Sequence, residues 1–288
     1  MENFHDTYGV KCCRHCSSLF VSPVPSAEAL SFYYSECKCN KMLQSLYRRR
    51  RGDVIVDPRV HEVGKIVEEY GPREMNILEI GCGSGVFLSS CKEYLTHQFP
   101  HKSFTFKGVD IDCNAVASAS SDLDLECINI EDDPSSLEKE SFDVILHFEL
   151  IEHLTDPKKF MDKVHTLLRP GGFVLFTTPN IHGAETMVTH YNQERLLAHA
   201  IFPPMHLNAF SPENTLLLLH RCNFHLCRLE TPGEFDADLV SRSSPEGTFV
   251  HLVEALESNM KVKEELQELL KMVRGSSHMK ILASKPSL

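Results

Sequence analysis

The chain lacks any apolar run long enough to span a bilayer, and its first residues, MENFHD, lack the basic and apolar segments of a secretory signal peptide. It also contains no internal repeat and no low-complexity tract. These absences argue against a membrane-spanning protein, a secreted protein and a repeat array. The sequence therefore predicts a cytoplasmic protein without a membrane partner.

Positive charge is scarce as well. The 288 residues carry 29 Lys and Arg against 40 Asp and Glu, which gives a net charge of -11. An acidic balance disfavours broad electrostatic adhesion to nucleic acid or to anionic membranes. The one basic run, RRRR at 48–51, is interpreted as a solvated turn before the main domain.

The cysteines fall into two groups. Those scattered through apolar segments are expected to be small core residues of a reduced protein, and they are Cys82, Cys91, Cys113, Cys127, Cys222 and Cys227. At the front, Cys13 and Cys16 form a C-x-x-C pair that could hold half of a tetrahedral zinc site, with Cys37 and Cys39 as the second half. Only one residue separates the second pair, which is poor geometry for zinc. An unmetallated hairpin is therefore the favoured prediction.

Apolar periodicity and helix breakers divide the rest of the chain into alternating strands and helices. Strands are predicted at 76–80, 104–110, 126–130, 142–148 and 173–177. Helices are predicted at 58–70, 86–95, 115–120 and 157–168, the last being stopped by RPGG at 169–172. Strands separated by helices pair in parallel through right-handed crossovers, which predicts a three-layer, doubly wound α/β domain. This domain is expected to span 55–288, after an N-terminal Cys-containing and helical segment over 1–54.

The segment LEIGCGSG at 78–85 reads as a buried strand that breaks into a glycine turn and opens a helix. Glycines allow a tight turn and close approach of the backbone to a ligand, and the helix behind them presents free N–H groups. A dinucleotide fingerprint needs a glycine at position 86, which is Val86 here. The spacing therefore indicates a nucleotide-shaped ligand other than a pyrophosphate.

Acidic residues follow the next two predicted strands. Asp110 ends the strand after the glycine turn, and parallel pairing brings the carboxyl ends of such strands together. A carboxylate there can accept both hydroxyls of a ribose; a helix cap is the alternative. Glu131 and Asp132 are similarly placed for an adenine edge, with a solvated acidic loop as the alternative.

The segment ELIEH at 149–153 carries a second candidate site. If it opens a helix, Glu149, Glu152 and His153 stand at i, i+3 and i+4 and share one face, where they could bind a divalent cation. In the alternative, the glutamates stabilise the helix N-terminus and the histidine packs against the sheet. His206 is available as a fourth ligand or as a base, or else belongs to a structured lid loop. Oxygen ligands favour Mg²⁺ or Mn²⁺, and the histidines also allow Zn²⁺.

The order of motifs resembles the class I S-adenosylmethionine-dependent methyltransferases. The resemblance is carried by LEIGCGSG at 78–85, GVD at 108–110, FDVI at 142–145, IEHL at 151–154, LLRPGGFVLFTTPN at 167–180 and HLNAFSPENTLLLL at 206–219. It implies a mostly parallel seven-stranded sheet whose last strand is antiparallel, with final strands at 224–230 and 279–284. The helical stretch at 248–273 between them is unassigned.

The resemblance also implies the roles of individual residues. The amino acid end of S-adenosylmethionine would be held by Glu79, Gly81, Cys82, Gly83 and Gly85. Asp110, with Ile111 beside it, would hold the ribose, Glu131 or Asp132 the adenine, and Phe148 would line the methyl group. Glu149, His153 and His206 are the candidate catalytic residues.

The E-x-x-E-H pattern followed by a later histidine resembles the metal site of small-RNA 3′-end 2′-O-methyltransferases, and a similar pattern occurs in ubiquinone-biosynthesis O-methyltransferases. The front segment is similar to the leader of bacterial glycan and natural-product methyltransferases, although these usually carry an earlier cysteine pair. The favoured prediction is an O-methyltransferase of a small hydroxylated molecule. The alternatives are a metal-dependent RNA 2′-O-methyltransferase and a non-catalytic binding protein with the same fold.

Overall fold

The computed structural model describes residues 8–36, 57–119, 122–132, 136–189, 200–201, 203–233, 235, 240 and 250–287. Cys37 and Cys39, the basic run at 48–51 and the predicted domain boundary after residue 54 lie outside these residues, so the predictions that depend on them stay predictions. Across the described ranges, no helix is both long and apolar enough to cross a membrane.

The strands are β1 (Gly9–Cys12), β2 (Leu19–Ser22), β3 (Glu74–Ile80), β4 (Ser103–Asp110), β5 (Asp124–Cys127), β6 (Phe142–Phe148), β7 (Leu168–Pro179), β8 (Asn208–Ala209), β9 (His225–Glu230) and β10 (His278–Ser284). The helices are α1 (Ala27–Glu36), α2 (Arg59–Tyr70), α3 (Val86–Gln98), α4 (Cys113–Ala117), α5 (Pro157–Leu167), α6 (Ala184–Thr189), α7 (Pro212–Arg221), α8 (Val250–Ser258) and α9 (Met260–Met272). A 3₁₀ turn covers Ile151–His153.

Seven strands form one sheet in the order β5-β4-β3-β6-β7-β10-β9. β3 pairs in parallel with β4 and β6, and β4 pairs in parallel with β5. β10 pairs antiparallel with β9. The predicted α/β class, with a mostly parallel seven-stranded sheet and an antiparallel last strand, is confirmed.

The centre of the sheet follows from its apolar sequence. β6 reads FDVILHF and is buried at every position except the last. A strand covered on both faces is expected to be apolar almost throughout. Its one carboxylate, Asp143, accepts a hydrogen bond from the backbone N–H of Asn76 at 2.7 Å and pairs with Arg169 at 3.0 Å. The negative charge of Asp143 is therefore balanced near the start of β6 and is not left unpaired in the core.

The contacts divide the chain into two compact units, which are described separately. One contains β3, β4, β5 and the helices α2, α3 and α4, and carries the glycine turn. The other contains residues 148–162, the end of β7, and the strands β9 and β10. It also holds a small antiparallel sheet in which β2 lies between β1 and β8.

The predicted hairpin at the front cysteines is present in this small sheet. The backbone N–H of Cys13 donates to Ser18 O at 2.8 Å, and that of Ser17 donates to Cys13 O at 2.9 Å. Ser17 adopts a left-handed conformation with φ 58°. Cys13 and Cys16 therefore share one tight turn between β1 and β2.

The structure corrects the prediction for RPGG at 169–172. β7 begins at Leu168 and runs through this segment instead of starting after it. The reason is backbone pairing with the segment that follows β10, because Gly171 N–H donates to Lys285 O and Lys285 N–H donates to Gly172 O. Because of these bonds Gly171 and Gly172 are part of the sheet, whereas the tendency of glycine to form turns predicts a loop.

The prediction for the scattered cysteines is partly wrong. Cys82, Cys91 and Cys222 are buried, as expected, but Cys227 is exposed. Cys113 and Cys127 form a disulfide that joins the start of α4 to the end of β5. They are therefore a cross-link between elements rather than core thiols.

Candidate functional site

The glycine turn, here called the glycine loop, spans residues 81–85 between β3 and α3. Gly81, Gly83 and Gly85 have φ values of 81°, 56° and 74°, which favour glycine. A Cβ at Gly85 would lie 2.7 Å from Leu123 Cδ1, whereas a Cβ at Gly83 would have no atom within 4 Å. Gly85 is therefore required by packing as well as conformation, and Gly83 faces open space that a ligand can enter.

Asp110 lies beside the glycine loop, as its place at the end of β4 predicts. Its Oδ2 accepts from the backbone N–H of Gly83 at 2.7 Å, and its Oδ1 accepts from that of Asp112 at 2.8 Å. Burial raises the pKa of this carboxyl, and the two backbone N–H donors oppose that effect. The cap of α4 is Asp112 instead, which accepts from the backbone of Asn114 and Ala115. The helix-cap alternative for Asp110 is therefore not what the structure shows.

Two further side chains enclose the glycine loop. Glu79 is 4% exposed in β3. Cys82 is buried, and its pKa is raised to about 12 by desolvation and by the nearby carboxylates of Glu79 and Asp110. Its thiol is therefore protonated, and it packs against the loop as a neutral side chain instead of acting as a nucleophile. A Cβ at Gly108 would meet Cys82 Sγ at 2.8 Å, so the loop packs on β4 only because this position is glycine.

The predicted adenine residues lie after β5. Glu131 is partly buried and its backbone N–H donates to Asn129 Oδ1 at 3.1 Å, whereas Asp132 is exposed. The ammonium of Lys163 donates to the carbonyls of Ile130 and Asp132. Ile111, after β4, is 56% exposed. This segment is thus held by backbone contacts, with the side chain of Glu131 the more enclosed of the two carboxylates.

The helix that would place Glu149, Glu152 and His153 on one face does not form. Glu149 adopts a left-handed conformation with φ 48°, and only the 3₁₀ turn at Ile151–His153 follows it. The backbone N–H of Glu149 donates to Thr177 O at 3.1 Å, which fixes the chain reversal at the end of β6. The spacing of the polar residues therefore does not create a single helical face.

Three of the four predicted ligands nevertheless come together. Glu152, His153 and His206 each offer a ligand atom, and these atoms all lie within 4.8 Å of one another. The backbone N–H of Leu207 donates to Glu152 O at 2.7 Å, which ties the segment carrying His206 to the 3₁₀ turn. These three residues are called the Glu/His group below.

Hydrogen bonds orient two members of the Glu/His group. Glu152 is fully buried; its Oε2 accepts from the Thr178 hydroxyl at 3.0 Å, and its Oε1 has no hydrogen-bond partner among the described residues. His153 Nδ1 lies 2.8 Å from the carbonyl of Met205. Since a carbonyl only accepts, Nδ1 carries the hydrogen and Nε2 of the neutral ring keeps its lone pair. The rings of His153 and His206 meet edge to face, with centroids 4.7 Å apart.

Glu149 stands apart from this group and pairs with a residue that the sequence did not single out. His278 Nε2 lies 3.3 Å from Glu149 Oε2. Burial alone would raise the pKa of Glu149, but hydrogen bonds from His278 and Thr177 lower it overall. The sequence signal that could have revealed His278 is its place at the start of β10. The first residue of an antiparallel strand lies at the edge of the sheet where the parallel strands end.

Burial favours the neutral forms of Glu152 and His153 in the Glu/His group. Burial and the neighbouring Glu149 carboxylate raise the pKa of Glu152 well above its usual range. Burial lowers the pKa of His153, so its ring is neutral at physiological pH. A buried carboxylate beside two imidazoles is a donor set that divalent cations bind in proteins.

A family model described as a methyltransferase domain matches residues 47–229, which is more than half of the chain. This chain belongs to the class I methyltransferases. The cofactor of the family is S-adenosylmethionine. The resemblance read from the motifs at 78–85 and 108–110 is thereby confirmed.

The methyltransferase matches only part of its curated relatives. It is 30% identical over 117 residues to a ubiquinone biosynthesis O-methyltransferase of Neisseria meningitidis serogroup C (strain 053442), a match that covers 38% of this chain and 45% of that protein. It is 32% identical over 133 residues to the protein of the same name from Paraburkholderia phymatum, covering 43% and 49%. The chain thus spans less than half the length of these relatives.

Solved structures share the fold at low sequence identity. A Mesorhizobium loti S-adenosylmethionine-dependent methyltransferase matches with a TM-score of 0.50 and 16% identity over 74% of this chain and 93% of that chain. The CurJ carbon methyltransferase matches with a TM-score of 0.50 and 18% identity over 91% and 59%. Because one of these is a carbon methyltransferase, the fold alone does not identify the acceptor atom of the present methyltransferase.

Proposed function

We propose that this methyltransferase transfers a methyl group from S-adenosylmethionine to a hydroxyl oxygen of a small molecule, with a divalent cation held by Glu152, His153 and His206. The observation that carries the proposal is the buried carboxylate of Glu152, which keeps one oxygen without a hydrogen-bond partner among the described residues and faces two histidines. The ubiquinone biosynthesis relatives, which are named as O-methyltransferases, support an oxygen acceptor.

The glycine loop is proposed to hold the cofactor. Glu79, Gly81, Cys82, Gly83 and Gly85 would surround its amino acid end, where the open space at Gly83 admits a ligand. Asp110 would accept the ribose hydroxyls with Ile111 alongside, and Glu131, the more enclosed of the pair with Asp132, would face the adenine. Phe148 would line the methyl group. S-adenosylmethionine supplies an electrophilic methyl group on a sulfonium, so these residues need only bind and orient it.

The residues of the Glu/His group fit a metal ion. The Thr178 hydroxyl holds one oxygen of Glu152, and Met205 O fixes the tautomer of His153, so two of the three ligands have the kind of outer partner that metal ligands usually have. One carboxylate and two imidazoles shift the expected metal from Mg²⁺ toward Mn²⁺ or Zn²⁺. Such a cation, when bound, would lower the pKa of an acceptor hydroxyl beside it and so ease loss of the acceptor's proton.

The test is a methyl-transfer assay on a panel of small phenols, catechols and sugars, using radiolabelled S-adenosylmethionine with and without chelator. We expect transfer that chelator abolishes and that added Mn²⁺ or Zn²⁺ restores. Glu152→Gln should bind S-adenosylhomocysteine as the wild type does but should lose metal-restored transfer. Turnover that is indifferent to chelator would contradict the metal site, and transfer to carbon or nitrogen would contradict the oxygen acceptor.

The two alternatives are tested in the same assay. A 2′-hydroxyl at the 3′ end of a small RNA is the other hydroxyl that the E-x-x-E-H pattern suggests, and short RNA included in the panel would reveal it. A non-catalytic binding protein would bind S-adenosylhomocysteine in calorimetry while giving no methylated product with any acceptor.

A further inference from the structure

The Cys113–Cys127 disulfide lies next to the residue that is proposed to hold the ribose. It joins the first residue of α4 to the last residue of β5, with Cα atoms 5.0 Å apart, and both cysteines are exposed. In the parallel register of β4 and β5, Cys127 is the partner of Asp110. A disulfide that small thiols in solution can reach thus borders the end of β4, where Asp110 stands.

The hydrogen bonds of Asp110 lead toward both cysteines. Its backbone carbonyl accepts at 2.8 Å from the backbone N–H of Ile128, the residue after Cys127. Its Oδ1 accepts at 2.8 Å from the backbone N–H of Asp112, the residue before Cys113. The disulfide therefore closes a ring of contacts that includes the backbone and one carboxylate oxygen of Asp110.

α4 is a weak anchor for this turn. The helix is five residues long, and none of its five described residues is buried. Helices this short have little stability of their own without a packed face. The cap from Asp112 to the backbone of Asn114 and Ala115 lies within the same short segment, so it does not tie that segment to the sheet. The covalent link to β5 should therefore restrict residues 110–112 more than α4 does.

We propose that the Cys113–Cys127 disulfide is a reversible redox switch that sets the affinity of this methyltransferase for S-adenosyl ligands. With the disulfide formed, the carboxylate of Asp110 is held ready for the ribose. With the disulfide reduced, the turn at 110–113 gains conformational freedom that ligand binding must remove. Ordering one backbone residue costs as much free energy as a change in affinity of about tenfold. The inference rests on the cofactor site proposed above.

The chemistry is thiol–disulfide exchange with a small thiol such as glutathione. One glutathione thiolate attacks a cysteine sulfur, the S–S bond breaks, and a mixed disulfide and one free cysteine thiolate result. A second glutathione thiolate attacks the glutathione sulfur of the mixed disulfide, which releases the other cysteine and forms glutathione disulfide. Two electrons pass to the protein, and the two cysteines take up the two protons that the glutathiones have lost. The reverse exchange forms the protein disulfide again.

The experiment measures S-adenosylhomocysteine binding to the full chain by calorimetry, in buffers with graded ratios of reduced to oxidised glutathione. Alkylation and mass spectrometry report the redox state of Cys113 and Cys127. The reduced wild type should bind about tenfold more weakly than the oxidised wild type. The variant Cys113→Ser, Cys127→Ser should bind as the reduced wild type does at every ratio. The control Cys227→Ser, which removes an exposed cysteine outside the disulfide, should respond as the wild type does.

Reciprocity between ligand binding and oxidation gives the decisive readout. If the disulfide strengthens binding about tenfold, saturating S-adenosylhomocysteine must favour disulfide over dithiol by the same factor, which lowers the reduction potential by about 30 mV. A disulfide that only stabilises the fold would show no such shift.

Three outcomes would overturn the switch and leave the cofactor site intact. They are equal affinity of folded oxidised and reduced wild type, a reduction potential that the ligand does not change, and a redox response that persists in the double variant. Circular dichroism would confirm that each sample is folded. Failure of S-adenosylhomocysteine to bind in either redox state would instead refute the cofactor site.

Discussion

The glycine loop and the Glu/His group are built in opposite ways. The glycine loop owes its shape to backbone conformation, with three positive φ values within five residues and a carboxylate, Asp110, held by backbone N–H groups. The Glu/His group is assembled from side chains far apart in the sequence, since His206 comes 53 residues after His153. One site is encoded locally, and the other exists only after distant segments have packed.

The two sites also differ in how their carboxylates are satisfied. Both oxygens of Asp110 accept a hydrogen bond from the protein. Glu152 has one oxygen bonded to Thr178 and, within the described part of the chain, none bonded to the other. The proposed ribose would add to hydrogen bonds of Asp110 that are already complete in the protein, whereas the proposed cation would supply the partner that one oxygen of Glu152 lacks among the described residues. The two sites should therefore respond to different perturbations.

The largest effect is expected from breaking the Cys113–Cys127 disulfide, which belongs to the unit that carries the glycine loop. The two cysteines are 14 residues apart, and closing a loop of that size contributes about 3 kcal/mol to the free energy of unfolding. Reductant should therefore lower the urea midpoint of the wild type. The double variant Cys113→Ser, Cys127→Ser should have a lower urea midpoint than the wild type even without reductant. Adding reductant should not change the midpoint of this variant. If reductant lowered the urea midpoint of the double variant by the same amount, the stabilising disulfide would have to involve other cysteines.

Asp110→Ala tests whether the glycine loop alone governs cofactor binding. Loss of a charged acceptor should weaken S-adenosylhomocysteine binding by about 2 kcal/mol, roughly 30-fold, in calorimetry. Mn²⁺ binding should not change. The matched control is Asp112→Ala, which removes the cap of α4 and should lower stability by about 1 kcal/mol while sparing affinity. Equal affinity losses in both variants would indicate a general disturbance of the loop instead of lost ribose contacts.

The smallest effect near neutral pH is expected from protonation of Asp110, which should change the affinity for S-adenosylhomocysteine. Burial raises the pKa of Asp110, so its carboxylate takes up a proton at a higher pH than an ordinary aspartate does. Affinity for S-adenosylhomocysteine should thus be constant while Asp110 is ionised and should fall as the pH drops through this raised pKa. Asp110→Asn should bind more weakly and lose that dependence. Calorimetry across the acidic range would contradict the assignment if both proteins lost affinity in parallel.

The sequence predicted the glycine loop because all of its determinants are local. Strand, glycine spacing and the carboxylate at the end of the next strand can be read directly, and Asp110 lies beside Gly83 as expected. The same reasoning placed Glu149, Glu152 and His153 on a helix that does not form, because the left-handed turn at Glu149 is stabilised by Thr177, which is distant in sequence. His278 had no sequence signal beyond its place next to a predicted strand. The Cys113–Cys127 bond likewise depends on the placement of β5 against α4.

Asn180 connects the end of β7 to the residues just before β10. Its side-chain amide donates to the carbonyls of Arg274 and Ser276, and its backbone N–H donates to Ser277 O at 2.7 Å. Gln267, in α9, donates to the Ser276 hydroxyl at 3.1 Å, so the same residues are also tied to the helix that precedes them. The start of β10 is thus fixed both by the end of β7 and by α9. A change in the length of α9 would have to keep both sets of contacts, so we expect this helix to tolerate substitutions on its exposed surface better than insertions or deletions.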